Sequence, residues 1–350
     1  MQPIKQLTIT DIVRVKDNST RPHPVRTAGG SFFLKFMANK ESRTIAEQIA
    51  LLKERGMLLK NEQQTAFYLG HISYYRLKGY WWDMQIDFTN HYFAPNSCFD
   101  DVIARYNFDR QLRLILFDAV EIIEIALRTK LIYHLSQAYG GLWYLNKTLF
   151  ENADLHTKHI EELKTEFARS GEIFAKDFRR KHPTESADPK IWISSKNPDA
   201  WLLFEVATFG VLSKIYKNIK HQLPQKSLIA HEFGLNSVSD LSSWLETITY
   251  LRNIVAHHSR IWGRNMVKRI ILPKNPRNLW LNPATVSVQE SIQRPKPFLA
   301  ISTMIYLCNA INPNNEVKKN LLALFSNNPN ISIQKLGFFN NWQNEPLWKE

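Results

Sequence analysis

The amino-acid sequence predicts an all-α protein whose helices pack as an antiparallel bundle. One pattern of apolar residues at helical spacing runs without interruption from Asp100 to about Tyr139. Helical patterns recur over residues 153–181, 198–219 and 238–262, whereas strand patterns are hard to find before residue 265. An antiparallel bundle is the simplest arrangement that buries so many apolar stripes.

The first 98 residues divide into two segments. Residues 1–40 mix prolines, glycines and scattered charges with little periodicity, which predicts an extended or partly ordered arm. Residues 41–98 begin with a predicted helical hairpin, in which Ser42 is the expected N-cap of a helix over 44–54 and a second helix covers 61–72. A helix-turn-helix that reads DNA has the same pattern, so DNA binding by this hairpin is one hypothesis.

An aromatic and basic cluster, residues 74–82, follows the hairpin. Its sequence is Tyr74-Tyr75-Arg76-Leu77-Lys78-Gly79-Tyr80-Trp81-Trp82. Rings and cations interleaved in this way suit base stacking and phosphate contact, so Arg76 and Lys78 are candidate RNA-binding residues. Large rings also anchor hydrophobic cores, which is the competing interpretation.

The predicted bundle covers residues 99–264, and Gly140-Gly141 is expected to end its long helix. Three prolines between positions 183 and 198 predict an exposed connection between two bundle helices. Residues 265–350 predict a mixed, less regular C-terminal extension, with proline-interrupted extended segments, a helical run near 298–311 and an Asn-rich end.

The charge of the chain favours a polyanionic partner. Lysine and arginine outnumber aspartate and glutamate by 45 to 32, which gives a net charge of +13. Residues 247–289 contain no acidic residue and are therefore the expected electrostatic footprint of a nucleic acid. A solvated basic face that serves only solubility is the alternative. The cations of this stretch are Arg252, Arg260, Arg264, Lys268, Arg269, Lys274 and Arg277.

Cysteine usage and hydropathy bear on where the protein works. Cys98 and Cys308 are the only cysteines, which are too few for a disulfide framework and lack the spacing of a thiolate metal site. No segment approaches the roughly 18 to 20 apolar residues that span a bilayer, and the N-terminus lacks the apolar region of a signal peptide. We therefore expect a cytoplasmic protein with no membrane partner.

The segment Arg252-Asn253-Ile254-Val255-Ala256-His257-His258 has the residue types for metal-independent cleavage of RNA. In a helix, Asn253 and His257 lie on one side, and Arg252 and His258 flank that line. The ribose 2′-hydroxyl attacks the adjacent phosphorus and the 5′-oxygen leaves. An imidazole moves a proton near neutral pH, a guanidinium holds the charge of the pentacoordinate phosphorus, and an amide orients either group. Only RNA supplies the internal nucleophile, so DNA is spared.

This segment and its neighbours resemble the Abi-like proteins, the AbiD and AbiF type of bacterial abortive-infection proteins in the HEPN superfamily. The resembling segment runs from Arg252 to Trp262 and begins with the Arg-x4-His motif, Arg252 to His257, and other motifs occur in the family's order. They are residues 47–56, Ile72-Ser73-Tyr74-Tyr75-Arg76-Leu77-Lys78-Gly79-Tyr80, Tyr106-Asn107-Phe108-Asp109-Arg110-Gln111-Leu112-Arg113, Ile123-Glu124-Ile125-Ala126-Leu127-Arg128, and Trp201-Leu202-Leu203-Phe204-Glu205 to Phe209-Gly210.

The resemblance covers roughly Phe32 to Gly263. It implies an all-α, HEPN-like antiparallel bundle that is usually a homodimer, in which the Arg-x4-His helices of two protomers face each other and form a composite RNase site. It also implies a role in phage defence or toxin-antitoxin control. No cofactor is expected.

Carried over by position, Arg252 and His257 occupy the paired catalytic positions, Asn253 the polar position after the arginine, and His258 substitutes or assists. The family has an asparagine-arginine pair just after the tryptophan, where this chain has Gly263-Arg264. The catalytic pair is intact, but this chain has no amide side chain at that position.

Several other charged residues are candidates for supporting or RNA-binding roles. Glu124 and Arg128 share a face of the long helix with Glu121, and they either form a buried ion-pair network or support the histidine across the bundle. A metal site is not expected, since neighbouring histidines on a helix point about 100° apart. RNA-binding residues are expected on a basic stripe that forms if the helix continues past the motif. Its members are Arg260, Arg264 and Lys268, with Arg269 beside them.

Together these features predict an endoribonuclease toxin with RNA as its substrate. The alternative is an RNA-binding effector that is held by a structured antitoxin RNA and does not itself cleave. A DNA-binding repressor is the third hypothesis.

Overall fold

The computed structural model describes residues 42–186, 196–273 and 275–349. The predicted arm, residues 1–40, lies outside the described residues, as do most of the predicted proline-rich connection and Lys274. Residues from Ile45 onward form one compact unit. Within the described residues this unit contains thirteen α-helices and one two-stranded sheet, which confirms the all-α class.

The helices follow one another from a short N-terminal group to a C-terminal group around one long helix. In order they are α1 Ile45–Glu54, α2 Glu62–Ile72, α3 Tyr74–Trp81, α4 Phe99–Tyr139, α5 Ala153–Arg169, α6 Ile173–Lys181, α7 Ala200–Leu203, α8 Phe209–Asn218, α9 Pro224–Glu232, α10 Val238–Ala256, α11 Pro283–Ser291, α12 Phe298–Ile311 and α13 Val317–Ser326. The strands β1 Gln85–Asp87 and β2 Tyr92–Phe93 pair antiparallel between α3 and α4.

The predicted helical hairpin is present as α1 and α2. Helix α1 begins at Ile45, one residue later than the predicted start at Thr44. Asn61 caps α2, because its side-chain oxygen accepts a hydrogen bond from the backbone amide of Gln64 at 2.9 Å. Helix α3 follows after the single residue Ser73, so the aromatic and basic cluster is itself helical.

Helix α4 is the central element of the unit. Its 41 residues span about 60 Å at 1.5 Å per residue. It ends where predicted, and Gly140 adopts the positive φ of 79° that a glycine tolerates after a helix. Helices α8, α9, α10, α12 and α13 all pack against α4, so its apolar residues form the middle of the core.

The residues after position 264 pack into the same core. Helix α12 packs against both α4 and α10, and all its residues from Phe298 to Cys308 are buried. Helices α12 and α13 and the segment after α13 together form an aromatic cluster, in which the centroids of neighbouring rings are about 5 to 6 Å apart. Its rings are Phe298, Phe325, Phe338, Trp342 and Trp348. Helix α11 forms inside the stretch that was expected to be extended, with a proline at its first position.

Three predicted helical runs are shorter than expected. The run over 153–181 breaks at Ser170-Gly171, where the backbone of Ser170 leaves the helical region at ψ 133°. The run over 198–219 divides into α7 and α8, and the hydroxyl of Thr208 caps α8. The run over 238–262 ends at Ala256, which affects the candidate site directly. None of the described helices combines the length and the apolar composition that crossing a membrane requires.

Candidate functional site

Helix α10 ends inside the Arg-x4-His motif through a backbone turn centred on His258. His258 has a positive φ of 54°. Its amide donates to the carbonyl of Val255 at 2.9 Å, and the amide of Ser259 donates to the carbonyl of Ile254 at 2.9 Å. This pair of bonds is the Schellman arrangement, whose left-handed position is usually a glycine. The prediction that the helix continues to Trp262 is therefore wrong.

The side chains expected to carry the chemistry lie at this end of α10. Arg252 is half-buried in the last turns, while Asn253 and His257 are exposed. His257 is the residue just after the helix, and its amide donates to the carbonyl of Asn253 at 3.0 Å. Among the described residues, none makes a hydrogen bond or ion pair with the side chains of Arg252, Asn253 or His257. All three are available to a ligand.

Glu124 and Arg128 of the long helix lie beside this end of α10. Arg128 forms an ion pair with Glu124 at 3.0 Å, and its other bond is to the backbone carbonyl of Ala207 at 3.0 Å. Burial raises the pKa of Glu124, while the charges of Arg128 and Arg252 act in the opposite direction. The Glu124 carboxylate is thus close enough to Arg252 for their opposite charges to attract. This suits a role in which Glu124 stabilises the charge of Arg252 beneath the exposed Asn253 and His257.

A buried carboxylate, Asp109, fixes the segment that follows the motif. It is fully buried in α4 and accepts from the backbone amide of Ile261 at 3.1 Å and that of Trp262 at 2.7 Å. The hydroxyl of Tyr80 also donates to Asp109, at 2.7 Å, and Arg113 pairs with it. The buried charge therefore has several hydrogen-bond partners, as a charge in a core requires.

Helix α3 packs along the turn after α10. The guanidinium of Arg76 donates to the carbonyl of His258 at 2.6 Å. Gly79 faces Arg260 so closely that an added Cβ would lie 3.1 Å from its Nε. Whereas Arg76 bonds to the backbone of this turn, Lys78 has its ammonium 5.6 Å from the centroid of the Trp82 ring. The aromatic and basic cluster thus contributes directly to the surroundings of the motif.

The cations after the motif do not form a helical stripe, because α10 ends before them. Arg260 is half-buried and donates to the carbonyl of Trp262 at 2.9 Å, and burial lowers its pKa. Arg264 donates to the carbonyl of Arg260 at 2.7 Å. Lys268 and Arg269 are exposed. Arg260 and Arg264 therefore stabilise the backbone after α10, whereas Lys268 and Arg269 are accessible to a polyanion.

The tryptophans on either side of the Arg-x4-His segment are buried and anchor its helix in the core. Trp244 is fully buried and Trp262 is 2 % exposed. The indole nitrogen of Trp262 donates to the carbonyl of Ser332 at 3.0 Å, and Arg105 and Lys335 lie over its ring. The C-terminal segment therefore packs directly against the segment that follows the motif.

The sequence did not indicate the part played by Asp109, Arg105 or Lys335. The signal for Asp109 was present, since an acid stands between Phe108 and Leu112 on the buried face of an otherwise apolar stretch. Lys335 had no comparable signal, because only the folded chain brings it to Asp83, at 2.8 Å. Within the described ranges, no three His, Cys, Asp or Glu side chains converge on a point where a metal ion would bind.

Comparison with known proteins gives one match, and it covers this site. The family model described as Abi-like protein matches residues 67–263, which include α3, the long helix and the whole motif up to Gly263. Searches of curated proteins and of solved structures give no significant match. The family suggests a role in abortive infection, which is a defence against phage. Because the match extends over more than half of the 350 residues, the chain belongs to the family of Abi-like proteins.

Proposed function

We propose that this protein is a metal-independent endoribonuclease of the HEPN type. The observation that carries the proposal is the end of α10, where a half-buried arginine and exposed amide and imidazole groups lie together without side-chain hydrogen bonds or ion pairs to other described residues. Arg252 stabilises the pentacoordinate phosphorus, His257 moves a proton, and Asn253 orients a phosphate oxygen. His258 supports the site through the backbone turn that ends the helix. Glu124 and Arg128 tune the charge behind it.

The reaction needs only groups that the site and the substrate contain. The 2′-hydroxyl loses its proton to a base and its oxygen bonds to the phosphorus, while the bond to the 5′-oxygen breaks and that oxygen takes up a proton. The products are a 2′,3′-cyclic phosphate and a 5′-hydroxyl. One imidazole can make both transfers, first as base and then as acid, so a site needs one His257 and one Arg252, and we propose that these come from different protomers.

A homodimer brings these two groups together, and α4 has a surface suited to dimerisation. Leu114, Phe117 and Ile125 are 58 %, 46 % and 50 % exposed, although all three are large and apolar. With Glu121 they recur at spacings of three and four residues, which places them on one face of the helix. Glu124 and Arg128 border this face, so a second copy packed on it brings two candidate sites together.

The test is cleavage of total cellular RNA and of purified tRNA in EDTA, with analysis of the product ends. We expect the wild-type protein to leave cyclic phosphates and Arg252→Ala/His257→Ala to be at least about a hundredfold slower. Arg169→Ala/His221→Ala, which removes an exposed arginine and histidine elsewhere, is the matched control and should cleave normally. Absence of cleavage by the wild-type protein would contradict the proposal.

The second candidate function is RNA binding without cleavage, in which a structured antitoxin RNA holds the protein. The observation in its favour is the basic stretch after the motif, where Lys268 and Arg269 are exposed. Tight RNA binding by both the wild-type and the Arg252→Ala/His257→Ala proteins, without cleavage by either, is the result that this function predicts.

A further inference from the structure

The aromatic cluster at α3 divides into buried rings and exposed rings. Tyr80 and Trp81 are fully buried and belong to the core. Tyr75, in contrast, is 88 % exposed, and Trp82 is 49 % exposed. Phe88, in the turn between β1 and β2, is 53 % exposed. Core packing accounts for the first pair of rings, whereas the last three expose much of their surface to solvent.

Two of these exposed rings, Trp82 and Phe88, contact each other. The rings of Trp82 and Phe88 stack with centroids 5.4 Å apart and planes inclined by 30°. The turn that presents Phe88 is fixed by Asp87, whose carboxylate accepts from the amides of Thr89 at 2.8 Å and Asn90 at 2.9 Å. Lys78 places its ammonium 5.6 Å from the Trp82 centroid. We call Tyr75, Lys78, Trp82 and Phe88 the aromatic ridge.

The aromatic ridge is continuous with the candidate site. Tyr75 is the neighbour of Arg76, which bonds to the carbonyl of His258 in the turn after α10. Trp82 comes six positions after Arg76, or about 9 Å further along a helix axis, so the ridge starts at the motif and leads away from it. A polymer bound at the motif therefore meets the ridge within a few monomers.

We infer that the aromatic ridge binds unpaired bases of single-stranded RNA beside the cleavage site. The inference rests on the proposed function, because it assigns the substrate class of the same site. Exposed rings next to a cation suit a chain of bases joined by phosphates, since any base has a face that stacks. A duplex hides its base faces inside the helix, so the ridge favours unpaired segments.

The experiment measures binding rather than cleavage, in the Arg252→Ala/His257→Ala background. Fluorescence anisotropy compares an adenine homopolymer of about 12 nucleotides with an RNA duplex of the same length. We expect Trp82→Leu/Phe88→Leu to weaken binding of the single strand about tenfold or more and to leave duplex binding unchanged. Trp82→Phe/Phe88→Tyr keeps two rings and is expected to bind within about threefold of the parent.

A control variant removes an exposed ring away from the ridge. Tyr106 of α4 contacts Tyr80 of α3, with ring centroids 5.6 Å apart. Tyr133 lies 27 positions after Tyr106, or about 40 Å further along α4, and is 60 % exposed. Tyr133→Ala should bind the single strand like the parent, and thermal unfolding should show that all variants are folded.

Two results would overturn the inference. One is single-strand binding by the leucine variant that equals binding by the ring-retaining variant. The other is a change in oligomer mass in the leucine variant with unchanged RNA binding, which would make the ridge a protein contact. Neither result depends on RNA cleavage, so a failure of the RNase proposal is seen separately, in the EDTA cleavage assay with wild-type protein.

Discussion

Asp109 joins the long helix to the segment that follows the motif. Its carboxylate accepts two backbone amides from Ile261 and Trp262, and it pairs with Arg113. An asparagine has the same shape, but it replaces one acceptor oxygen with a donor and leaves the Arg113 charge without its partner. A buried ion pair that loses one member costs about 3 to 5 kcal/mol.

We therefore expect Asp109→Asn to lower the free energy of unfolding by roughly 3 kcal/mol or more. Urea unfolding followed by circular dichroism measures this change. Asp118→Asn is the control, because Asp118 is an exposed acid on the same helix and its loss should change stability by no more than about 0.5 kcal/mol. Equal effects of the two substitutions would show that the contacts of Asp109 with Ile261, Trp262 and Arg113 do not stabilise the fold.

Lys226 is a buried lysine that supports the end of α8. Its ammonium donates to the carbonyls of Lys217 at 3.0 Å and Ile219 at 2.6 Å, and the side chain lies over the Tyr216 ring. Burial lowers the pKa of Lys226 to about 8, and the charge of Glu151 only partly opposes this. The unfolded chain holds this proton up to a pKa of about 10.4.

This difference predicts a pH effect with a definite sign. Between about pH 8 and 10.4 the unfolded state binds more protons at Lys226 than the folded state does, so stability rises with pH there, by up to about 1.4 kcal/mol per pH unit. Buried tyrosines oppose the trend, because burial raises their pKa values. The measurement is thus the stability difference between wild type and Lys226→Met at pH 8, 9 and 10. A pH-independent difference would contradict the assignment.

At the scale of one element, the end of α10 determines how the motif is presented. An uninterrupted helix would carry Arg252, Asn253 and His257 on a continuous surface and place Arg260 on the same helix. The turn at His258 instead stops the helix one residue before His257 and redirects the chain toward Asp109. The turn therefore leaves His257 at the end of α10 and not within a helix.

His258 is in the left-handed region, where glycine is less strained than any residue with a Cβ. We expect His258→Gly to raise the free energy of unfolding by about 0.5 to 1 kcal/mol, as seen by urea unfolding. RNA cleavage should stay within about threefold of wild type, since Arg76 bonds to the backbone carbonyl of His258, which glycine retains. A large loss of cleavage in this more stable variant would show that the imidazole takes part in the chemistry.

The sequence predicted a helix best where its hydrophobic periodicity continued over many turns and a glycine followed its last residue. Helix α4 and its end at Gly140 are the clearest example. The end of α10 was not predictable in this way, because the residue with positive φ is a histidine and the first glycine comes five residues later, at Gly263. A hydrogen-bonding pattern across a turn decides such an ending, and it leaves no mark on hydrophobic periodicity.

At the scale of the whole molecule, the sequence predicted that the motif belongs to the helical bundle, but it did not predict the contacts that the C-terminal residues make with that bundle. The stretch after Trp262 contains many prolines and asparagines, which predicted an irregular extension. In the folded chain, α12 packs on α4, and Ser332 accepts a bond from the indole of Trp262. Such contacts join residues far apart in the chain, so local propensity does not show them.

The apolar face of α4 leads to the prediction that concerns the assembled protein. If each cleavage site combines Arg252 of one protomer with His257 of the other, the single variants Arg252→Ala and His257→Ala are both inactive, but a mixed dimer of the two has one intact site. Half of the dimers in an equal mixture are mixed, so the mixture should recover about a quarter of the wild-type activity. The measurement is RNA cleavage in EDTA by each variant alone and by the equilibrated mixture.

The matched control replaces His257→Ala in the mixture with Arg252→Ala/His257→Ala, which restores no site and should give no recovery. Exchange of protomers must be verified by native mass spectrometry, because mixing acts only through mixed dimers. Recovery in the first mixture alone would assign the two groups to different protomers. No recovery despite full exchange would mean that Arg252 and His257 serve the same phosphate within one chain.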